Sequence, residues 1–538
     1  MGANVGLQEL DVMLKRIRRN TLGDILARTR DRLPDKIAIA YKGTRLTYAE
    51  LDDLVNQTAR ALLKDGIEKG DMIALMSKNS LDFVISEFSL ARIGAVLVPI
   101  NFMLNVEDVE YILNHAKVSG LISSIECAKT LDEAASDLTI KVRYLMDVDR
   151  NEKLDEDLSD WTPLSVARQG QPTDFVDADL DDDDVVHVLY TSGTESRPKG
   201  VMLTHKSIVN EYVSCIISGG MAEDDVCIHA LPFYHSAQLH CFLGPSIYLG
   251  SSGIILEGAN PEVILETIEK EKATQLFCPP TVWISLLRHP DFEKRDLSSL
   301  KKCYYGAAIM PMEVLKELME KLPQAKFWNF YGQTEIAPLG TILQPEDQLR
   351  KLGSAGKPSF NVQTKIVDDN GNEVPRGEIG EIEIVHRTPH AMKGYLHDPE
   401  KTAKAFKGGW MHSGDLGYMD EEGYITVVDR KKDMIKTGGV NVSSREVEEA
   451  IYQIDGVSEV AVIGVPDSYW IEAVTAVIVP KEGSLLTKDE VFTYCRKNLS
   501  KFKQPKYVVF TKELPKNPSG KVLKRELREI YKNIAEQS

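Results

Sequence analysis

The most informative segment is residues 190–200, YTSGTESRPKG, which combines several hydroxyls, two glycines and a lysine between a predicted strand and a predicted helix. Gly193 and Gly200 leave backbone N–H groups open to phosphate oxygens, and Lys199 adds a positive charge. The segment differs from a Walker A loop because Lys199 precedes Gly200 instead of leading into Ser or Thr. It therefore predicts a phosphate-binding loop, with a polar surface loop as the alternative.

A second segment, 330–335 (FYGQTE), carries groups suited to a nucleotide. Tyr331 offers an aromatic face for a base, Thr334 a hydroxyl for a phosphate, and Glu335 a carboxylate for Mg²⁺. Further on, Asp415 in the segment 412–415 (HSGD) is an acceptor suited to both ribose hydroxyls. An ordinary strand end and a hairpin aspartate are the alternative interpretations of these two segments.

In their order along the chain, these segments resemble the adenylate-forming superfamily of acyl-CoA synthetases, adenylation domains and luciferase-like enzymes. The resemblance covers about residues 22–528. It implies that ATP, Mg²⁺ and coenzyme A take part, that Tyr331 lies against adenine, and that Thr334 contacts the α-phosphate. The implied nucleotide-binding residues are Thr191, Ser192, Gly193, Thr194, Lys199, Gly306, Ala307, Ala308, Tyr331, Gly332, Asp415 and Arg430, and the implied metal ligands are Glu335 and Thr191.

The C-terminal part extends the resemblance. Residues 429–436 (DRKKDMIK) resemble the junction between a large and a small domain, with Arg430 near the ribose or phosphates and Lys432 at the hinge. Residues 514–521 (LPKNPSGK) resemble the loop whose catalytic lysine is here Lys521. Rotation of the small domain then presents a second face, implied to carry Lys436, Gly438 and Gly439, to the pantetheine arm of CoA. A solvated linker and a basic tail are the alternatives.

The implied reaction follows from chemical necessity. A carboxylate is a poor acylating agent, and attack on the α-phosphate of ATP gives an acyl-adenylate with AMP as a competent leaving group. Such an enzyme works by positioning and charge neutralisation rather than through a covalent enzyme intermediate. Because adenylates hydrolyse, water must be excluded before a thiol takes the acyl group. An AMP-forming acid–thiol ligase is the interpretation that the motifs favour.

The identity of the acid is predicted from the segment 231–236 (LPFYHS), which resembles the family's acyl entrance with His235 as its gating histidine. The residues that follow include no acid to pair an amino-acid ammonium. The remaining predicted wall is apolar: Cys241, Phe242, Val282, Trp283 and Leu339. We expect a medium- to long-chain fatty acid as the small-molecule partner, with an aryl acid, a phosphopantetheinyl carrier protein as acceptor, and a non-catalytic metabolite-binding module as alternatives.

Two departures from the family pattern stand out. Glu195-Ser196 replaces Thr-Gly in the phosphate loop, where a carboxylate repels a triphosphate unless it is turned outward. Ile471-Glu472 stands where the family often has Gly-Glu after Trp470. We expect the first change to tune or loosen the phosphate cradle and the second to be without chemical consequence.

The elements that must position these residues alternate strand and helix, as in 71–77 (DMIALMS), 81–94 and 95–101 (AVLVPIN). This rhythm predicts an α/β fold with parallel sheets covered by helices on both faces. After about residue 350, an Asn370-Gly371 turn and the alternating run 378–385 predict a β-rich subdomain with a half-exposed strand. We place a large domain at 1–429 and a small, mobile α+β domain at 430–538.

Composition and charge restrict the class of protein. The 538 residues carry a formal net charge of −17, with 43% hydrophobic and 27% charged residues, which indicates a globular protein. The acidic balance argues against a whole-chain nucleic-acid footprint. Seven scattered cysteines, no signal-like N-terminus and no long apolar run predict a cytoplasmic protein without a transmembrane segment. A peripheral membrane contact and a homodimer stay open.

Overall fold

The computed structural model describes residues 7–147, 156–191, 197–308, 310–384, 388–431, 433–437, 440–467, 469–517 and 520–534. Its helices are α1 Leu7–Arg18, α2 Leu22–Arg32, α3 Tyr48–Lys64, α4 Leu81–Ile93, α5 Val106–Ala116, α6 Ile125–Ala134, α7 Leu164–Ala167, α8 His205–Gly219, α9 Ser236–Gln238, α10 Gly244–Leu249, α11 Pro261–Glu271, α12 Pro280–Arg288, α13 Met312–Lys321, α14 Pro399–Ala405, α15 Ser444–Tyr452, α16 Lys488–Asn498 and α17 Lys524–Tyr531.

Its strands are β1 Ile37–Tyr41, β2 Thr44–Thr47, β3 Met72–Met76, β4 Val96–Ile100, β5 Gly120–Ser123, β6 Val142–Leu145, β7 Thr162–Pro163, β8 Val185–Thr191, β9 Lys199–Thr204, β10 Val226–His229, β11 Ser252–Ile255, β12 Gln275–Phe277, β13 Lys302–Gly306, β14 Lys326–Gly332, β15 Leu339–Leu343, β16 Lys357–Pro358, β17 Thr364–Val367, β18 Gly380–Ile384, β19 Gly394–Tyr395, β20 Met411–Met419, β21 Ile425–Arg430, β22 Ile435–Thr437, β23 Val440–Val442, β24 Val457–Asp467, β25 Ile471–Pro480 and β26 Tyr507–Phe510.

Two large sheets form the body of the protein. One has the strand order β16-β15-β14-β13-β12-β10-β11-β1-β2 and the other β19-β9-β8-β4-β3-β5-β6-β7. The central strands are parallel, and every residue of β4 is buried because helices cover both faces. The predicted α/β fold class is confirmed. A π-helical turn, Leu239–Leu243, follows α9 at the cavity described below.

A smaller antiparallel sheet, β17-β18-β20-β21, lies within residues 364–430 and matches the predicted β-rich subdomain. Gly371 has φ +85° in the predicted turn, a conformation that glycine adopts without steric cost. The prediction of a half-exposed strand was wrong: four of the five residues of β18 are buried. The reason is that Ile382 and Ile384 face one core, while Glu383 on the opposite face is covered by Lys365 at 2.8 Å and His412 at 3.2 Å.

The remaining described strands form a separate sheet, β23-β22-β25-β24, with β26 beside β25. Its core includes Val462, Val474 and Ile478, packed under α15 and α16. All its strands follow residue 434. The domain boundary at residues 429–432 stays a prediction. Lys432, the predicted hinge, lies outside the described residues.

All seven cysteines lie within the described residues, and every one is buried and free of disulfide bonds. Burial raises the pKa of the Cys227 thiol to about 12 and that of Cys241 to about 11. Among the described helices, none combines the length and the apolar sequence that crossing a lipid bilayer requires.

Ile471 has a local conformation that its residue type disfavours. Its φ is +71°, and its side chain is exposed. For an L-residue this region costs about 1–2 kcal/mol, and a β-branched side chain is among the least suited to it. The departure from the family's glycine thus has a conformational consequence that the sequence did not reveal.

We expect Ile471→Gly to raise the free energy of unfolding of the C-terminal domain by about 1 kcal/mol, after subtraction of glycine's entropy cost. Hydrogen exchange of the β24 and β25 amides as a function of urea concentration measures the change. Ile471→Ala is the matched control, because it removes the same side chain but keeps a Cβ at positive φ. An equal gain in both variants would show that the exposed side chain, not the backbone, is the source.

Candidate functional site

The predicted site residues meet at one large cavity. It has a volume of about 1190 Å³ and is lined by the ends of β8 and β14, the start of β9, the segment after β10, the small antiparallel sheet and the 514–522 loop. The described predicted residues among its walls are Thr191, Lys199, His235, Ala307, Tyr331, Gly332, Thr334, Glu335, Arg430 and Lys521. Asp415 is buried directly behind this surface.

The phosphate-loop prediction falls at the open end of the β8–β9 hairpin. Thr191 and Lys199 are paired across the two strands, and both line the cavity. The Lys199 ammonium lies 5.0 Å from the centre of the Tyr395 ring. Ser192, Gly193, Thr194 and the unusual Glu195-Ser196 pair lie outside the described residues.

The nucleotide side is organised around Asp415. The Tyr331 hydroxyl donates a hydrogen bond of 2.6 Å to Asp415 Oδ2, and Arg430 Nε lies 3.0 Å from Oδ1. Gln333 Nε2 bonds the Ser413 carbonyl at 2.6 Å, which fixes this strand end. Burial, reinforced by the Asp415 charge, raises the pKa of Tyr331, so the phenol stays a donor at neutral pH.

Two glycines let backbone segments approach closely around the cavity. A Cβ on Gly332 would lie 1.8 Å from the Pro338 carbonyl oxygen, and one on Gly306 would lie 2.3 Å from the Phe330 oxygen. Ala307, at φ +61°, follows the end of β13 and lines the cavity. Gly306 and Ala308, which the resemblance also placed at the nucleotide, do not line it.

Thr334 and Glu335 face the cavity beside each other. Thr334 Oγ1 is 2.9 Å from Ser236 Oγ, and Glu335 Oε1 accepts a 2.9 Å hydrogen bond from Tyr395. Carboxylate and hydroxyl oxygens are the donors that Mg²⁺ prefers, so Glu335 and Thr191 fit the predicted metal ion in type. Sequence reasoning missed Tyr395, whose signal was only a Gly-Tyr pair without a motif.

On the acid side, His235 is the first residue of the wall. Its Nδ1 accepts from the Ala237 amide at 3.3 Å, and burial, aided by the positive charge of Lys521, lowers its pKa to about 4. The imidazole is therefore neutral at pH 7. Cys241, Phe242 and Leu339 line the cavity as expected.

Two predicted wall residues do not line the cavity. Trp283 is fully buried and donates through Nε1 to the Tyr304 carbonyl at 3.0 Å, so it packs in the core instead. Val282, on the same helix, packs against core residues as well. Their places in the wall are taken by Phe277 and Phe330, which the sequence analysis did not select.

The C-terminal loop reaches the large domain. Thr281 Oγ1 donates a 2.7 Å hydrogen bond to the Gly520 carbonyl, and the Lys521 amide bonds Asn517 Oδ1 at 2.8 Å. Lys521 thereby lines the same cavity as Thr334. Lys436 instead lies exposed on β22, away from the cavity walls, and Gly438 and Gly439 are outside the described residues.

A buried carboxylate behind the acid wall was also missed. Glu211 accepts from the Leu339 amide at 2.8 Å and lies 3.1 Å from His390 Nδ1, with the Cys215 and Cys241 thiols as further donors. Burial raises its pKa. An acid within the apolar face of α8 was the available signal, and two of its partners, Leu339 and His390, come from segments more than 100 residues away.

Comparison with known proteins shows the family to which the chain belongs. Residues 26–396 match the model of the AMP-binding enzyme family, and residues 446–521 match that of the AMP-binding enzyme C-terminal domain. The chain belongs to the AMP-binding enzymes. Within them it groups with the AMP-forming acyl-CoA ligases, whose substrates are a carboxylic acid, ATP and CoA.

Three similar proteins illustrate the range of this group. A feruloyl-CoA synthase of Amycolatopsis sp. is 36% identical, over 96% of this chain and all of that protein. A long-chain-fatty-acid–CoA ligase of Bacillus subtilis is 35% identical, over 95% of this chain and 94% of that one. The ATP-bound structure of MatB from Rhodopseudomonas palustris has a TM-score of 0.85 and 31% identity, over 95% of this chain and 99% of that chain.

Proposed function

We propose that this ligase activates a compact apolar acid, with aryl acids of the cinnamate type preferred, and transfers the acyl group to CoA. The observation that carries the proposal is the aromatic wall at the acid side of the cavity. The Phe242 and Phe277 rings stack with centroids 4.3 Å apart, and Phe330 lies 5.4 Å from Phe242. Planar faces of this kind suit an aromatic ring.

A second aromatic layer lies behind this wall, at the acid side of the cavity. Tyr304 lies 5.2 Å behind Phe242, and Trp328 stacks on Tyr304 at 5.1 Å. Neither Tyr304 nor Trp328 belongs to the cavity lining, and Tyr304 is fully buried. A long alkyl tail directed at this wall would have to displace a closely packed cluster, and such overpacking typically costs about 1–3 kcal/mol.

A medium- to long-chain fatty acid, as expected from the sequence, is the second candidate. It is favoured by the similarity to the Bacillus subtilis enzyme, whereas the feruloyl-CoA synthase favours the aryl acid. The aromatic wall favours the aryl acid because it bounds the acid side of the cavity with flat, closely packed rings. Transfer to a carrier protein in place of CoA is a variant of the second half-reaction.

In the first half-reaction, a carboxylate oxygen attacks the α-phosphorus of ATP, the bond to the bridging oxygen breaks, and pyrophosphate leaves. We assign Lys521 to the attacking carboxylate and the α-phosphate, with Thr334 as a second donor. Lys199 would face the β- and γ-phosphates. Asp415 would accept from the ribose hydroxyls, with Tyr331 against the base and Arg430 beside them.

A magnesium ion held by Glu335 and Thr191 would neutralise phosphate charge when bound. In the second half-reaction, the CoA thiol attacks the acyl carbon, the thiol proton is released, and AMP leaves. The neutral His235 imidazole, next to Ser236 at the chamber, would separate the acyl group from the thiol entrance. We assign Lys436, on the exposed face of β22, to the rotated arrangement of the small domain about Lys432.

The test is nucleotide product analysis with ATP, Mg²⁺ and matched acids, with and without CoA. The acids are cinnamates, benzoates and straight-chain acids of about four to eighteen carbons. We expect AMP and pyrophosphate, dependent on acid and CoA, with kcat/KM for cinnamates at least about 10-fold above that for acids beyond twelve carbons. Preference for the long acids would support the second candidate, and release of ADP would contradict both.

Removing one aromatic ring from the wall is expected to change the preference between aryl and alkyl acids. Phe242→Ala removes the ring that stacks on Phe277, so the ratio of kcat/KM for a ten-carbon acid over a cinnamate should rise about 10-fold. Phe327→Ala is the matched control, since Phe327 is equally buried but does not line the cavity. It should lose stability without changing the ratio.

A further inference from the structure

A cluster of side chains that can bind a metal ion lies buried behind the acid wall, outside the nucleotide side of the cavity. Glu211 and Cys215 are four residues apart on α8, so they share one face of that helix. Cys241 reaches them from the π-helical turn. One carboxylate oxygen of Glu211 and the two sulfurs all lie within 4.8 Å of one another. Among the described residues, no other group of three His, Cys, Asp or Glu side chains meets this spacing.

The separations match those between ligands of a single tetrahedral zinc ion. Glu211 Oε1 lies 3.3 Å from Cys215 Sγ and 3.5 Å from Cys241 Sγ. Zinc bonds of about 2.3 Å to sulfur and about 2.0–2.2 Å to oxygen put these two ligand atoms about 3.5 Å apart at the tetrahedral angle. The three donors are therefore already placed to bind one ion.

His390 offers a fourth ligand from the segment between β18 and β19. Its Nδ1 lies 3.1 Å from Glu211 Oε2, and both side chains are fully buried. Neither of these two atoms makes a hydrogen bond of normal geometry within the described part of the chain. Burial lowers the pKa of His390 to about 4, against the opposing effect of the Asn210 and Leu339 backbone, so the imidazole is neutral, as a metal ligand must be.

The other ring nitrogen of His390 has a fixed partner. Its Nε2 lies 2.9 Å from Ser214 Oγ, and Ser214 Oγ also accepts a 3.2 Å hydrogen bond from Asn361 Nδ2. When Nε2 donates to Ser214, Nδ1 carries the lone pair that a metal ion requires. Histidines that bind metals are usually oriented by such a bond on the nitrogen that does not touch the ion.

The donor set indicates which ion fits. Two thiolates and an imidazole favour zinc over magnesium, because Mg²⁺ prefers oxygen ligands. Binding would replace the two S–H bonds by Zn–S bonds and release both protons, and any carboxyl proton, to solvent. The two thiolates and the carboxylate exceed the charge of the ion by one, and the Leu339 amide, which donates to Glu211 at 2.8 Å, stabilises this surplus.

We propose that Glu211, Cys215, Cys241 and His390 form a structural zinc site that fixes the acid wall. Cys241 lines the cavity, so the ion has a route of entry. The bound ion would join α8 to the π-helical turn that carries Phe242 and to the segment before β19. Four protein ligands leave no open position for substrate, so the site is distinct from the magnesium site proposed at the phosphates and independent of which acid is activated.

Metal analysis of the full chain, prepared without a polyhistidine tag and without ATP or Mg²⁺, tests the site. We expect about one zinc ion per chain after dialysis against buffer, and a rise in Tm of at least about 2 °C when zinc is added to the metal-free chain. Co²⁺ in place of zinc should give the charge-transfer absorption of cobalt–thiolate bonds and the d–d bands of a tetrahedral site.

Variants of the cluster identify the ligands. Cys215→Ser and Glu211→Gln should each lower Co²⁺ affinity at least about 100-fold, whereas Cys227→Ser, at an equally buried thiol outside the cluster, should bind as the wild type does. Ser214→Ala keeps all four ligands but removes the partner of His390 Nε2, so affinity should fall about 10–100-fold.

The wild-type measurement decides the proposal even if a cluster variant fails to fold. A wild-type chain that takes up no zinc, or that binds Co²⁺ without a thiolate charge-transfer band, would overturn it and leave Glu211 and His390 as a buried pair without an ion. Unchanged Co²⁺ affinity in folded Cys215→Ser would also overturn it. Unchanged affinity in Ser214→Ala would contradict the four-ligand site.

Discussion

Replacing Lys521 by alanine is expected to lower the rate of acyl-adenylate formation about 10²–10³-fold, which makes it the largest single effect we predict. The reason is that Lys521 enters the cavity on a loop docked through Gly520 to Thr281, and we assign its charge to the attacking carboxylate and the α-phosphate. Acid-dependent exchange of pyrophosphate into ATP measures this half-reaction directly.

Measuring the second half-reaction distinguishes a catalytic defect of Lys521→Ala from a folding defect. Starting from synthetic acyl-adenylate and CoA, Lys521→Ala should form the thioester at close to the wild-type rate, because we assign that step to the rotated arrangement of the small domain. Lys516→Ala is the matched control in the same loop: Lys516 pairs with Glu459 outside the cavity, so both half-reactions should survive. Equal losses in the two half-reactions would contradict the assignment of Lys521.

Asp415→Ala is expected to lower kcat/KM for ATP about 10²-fold, mainly through a higher KM. A hydrogen bond to a charged acceptor contributes about 1.5–3 kcal/mol, and Asp415 would accept from the ribose while holding Tyr331 and Arg430. Steady-state kinetics with ATP as the varied substrate measure the change.

Tyr331→Phe provides the graded comparison, since it keeps the aromatic face but removes the 2.6 Å donor to Asp415. Its loss should be smaller, about 10-fold. The KM for the acid should change little in either variant. If that KM rose in parallel with the KM for ATP, Asp415 would organise the whole cavity rather than the nucleotide side alone.

The sequence was a good guide wherever the chain carries a motif of the adenylate-forming superfamily. The motifs around Tyr331 and Lys199 were predicted together from that resemblance, because β14 and the β8–β9 hairpin belong to different sheets and no local pattern relates them. Buried parallel strands such as β4 are continuous apolar runs, so their type and place were also predictable.

The sequence did not predict which side chains face the cavity and which face the core. Trp283 and Phe277 are both apolar and close in sequence, yet only Phe277 lines the cavity, because the turn into α12 directs Trp283 to the Tyr304 carbonyl. Glu211 and Tyr395 gain their roles from partners far along the chain. No local pattern carries such information.

The burial of every cysteine makes this enzyme suited to site-specific labelling. Its native thiols are covered, and their raised pKa values keep them protonated at neutral pH, so a maleimide dye finds few reactive sites on the folded chain. Leu485→Cys on the small domain and Val263→Cys on the large one would add two exposed handles. Energy transfer between dyes at these handles would test the proposed domain rotation during turnover without prior removal of any natural cysteine.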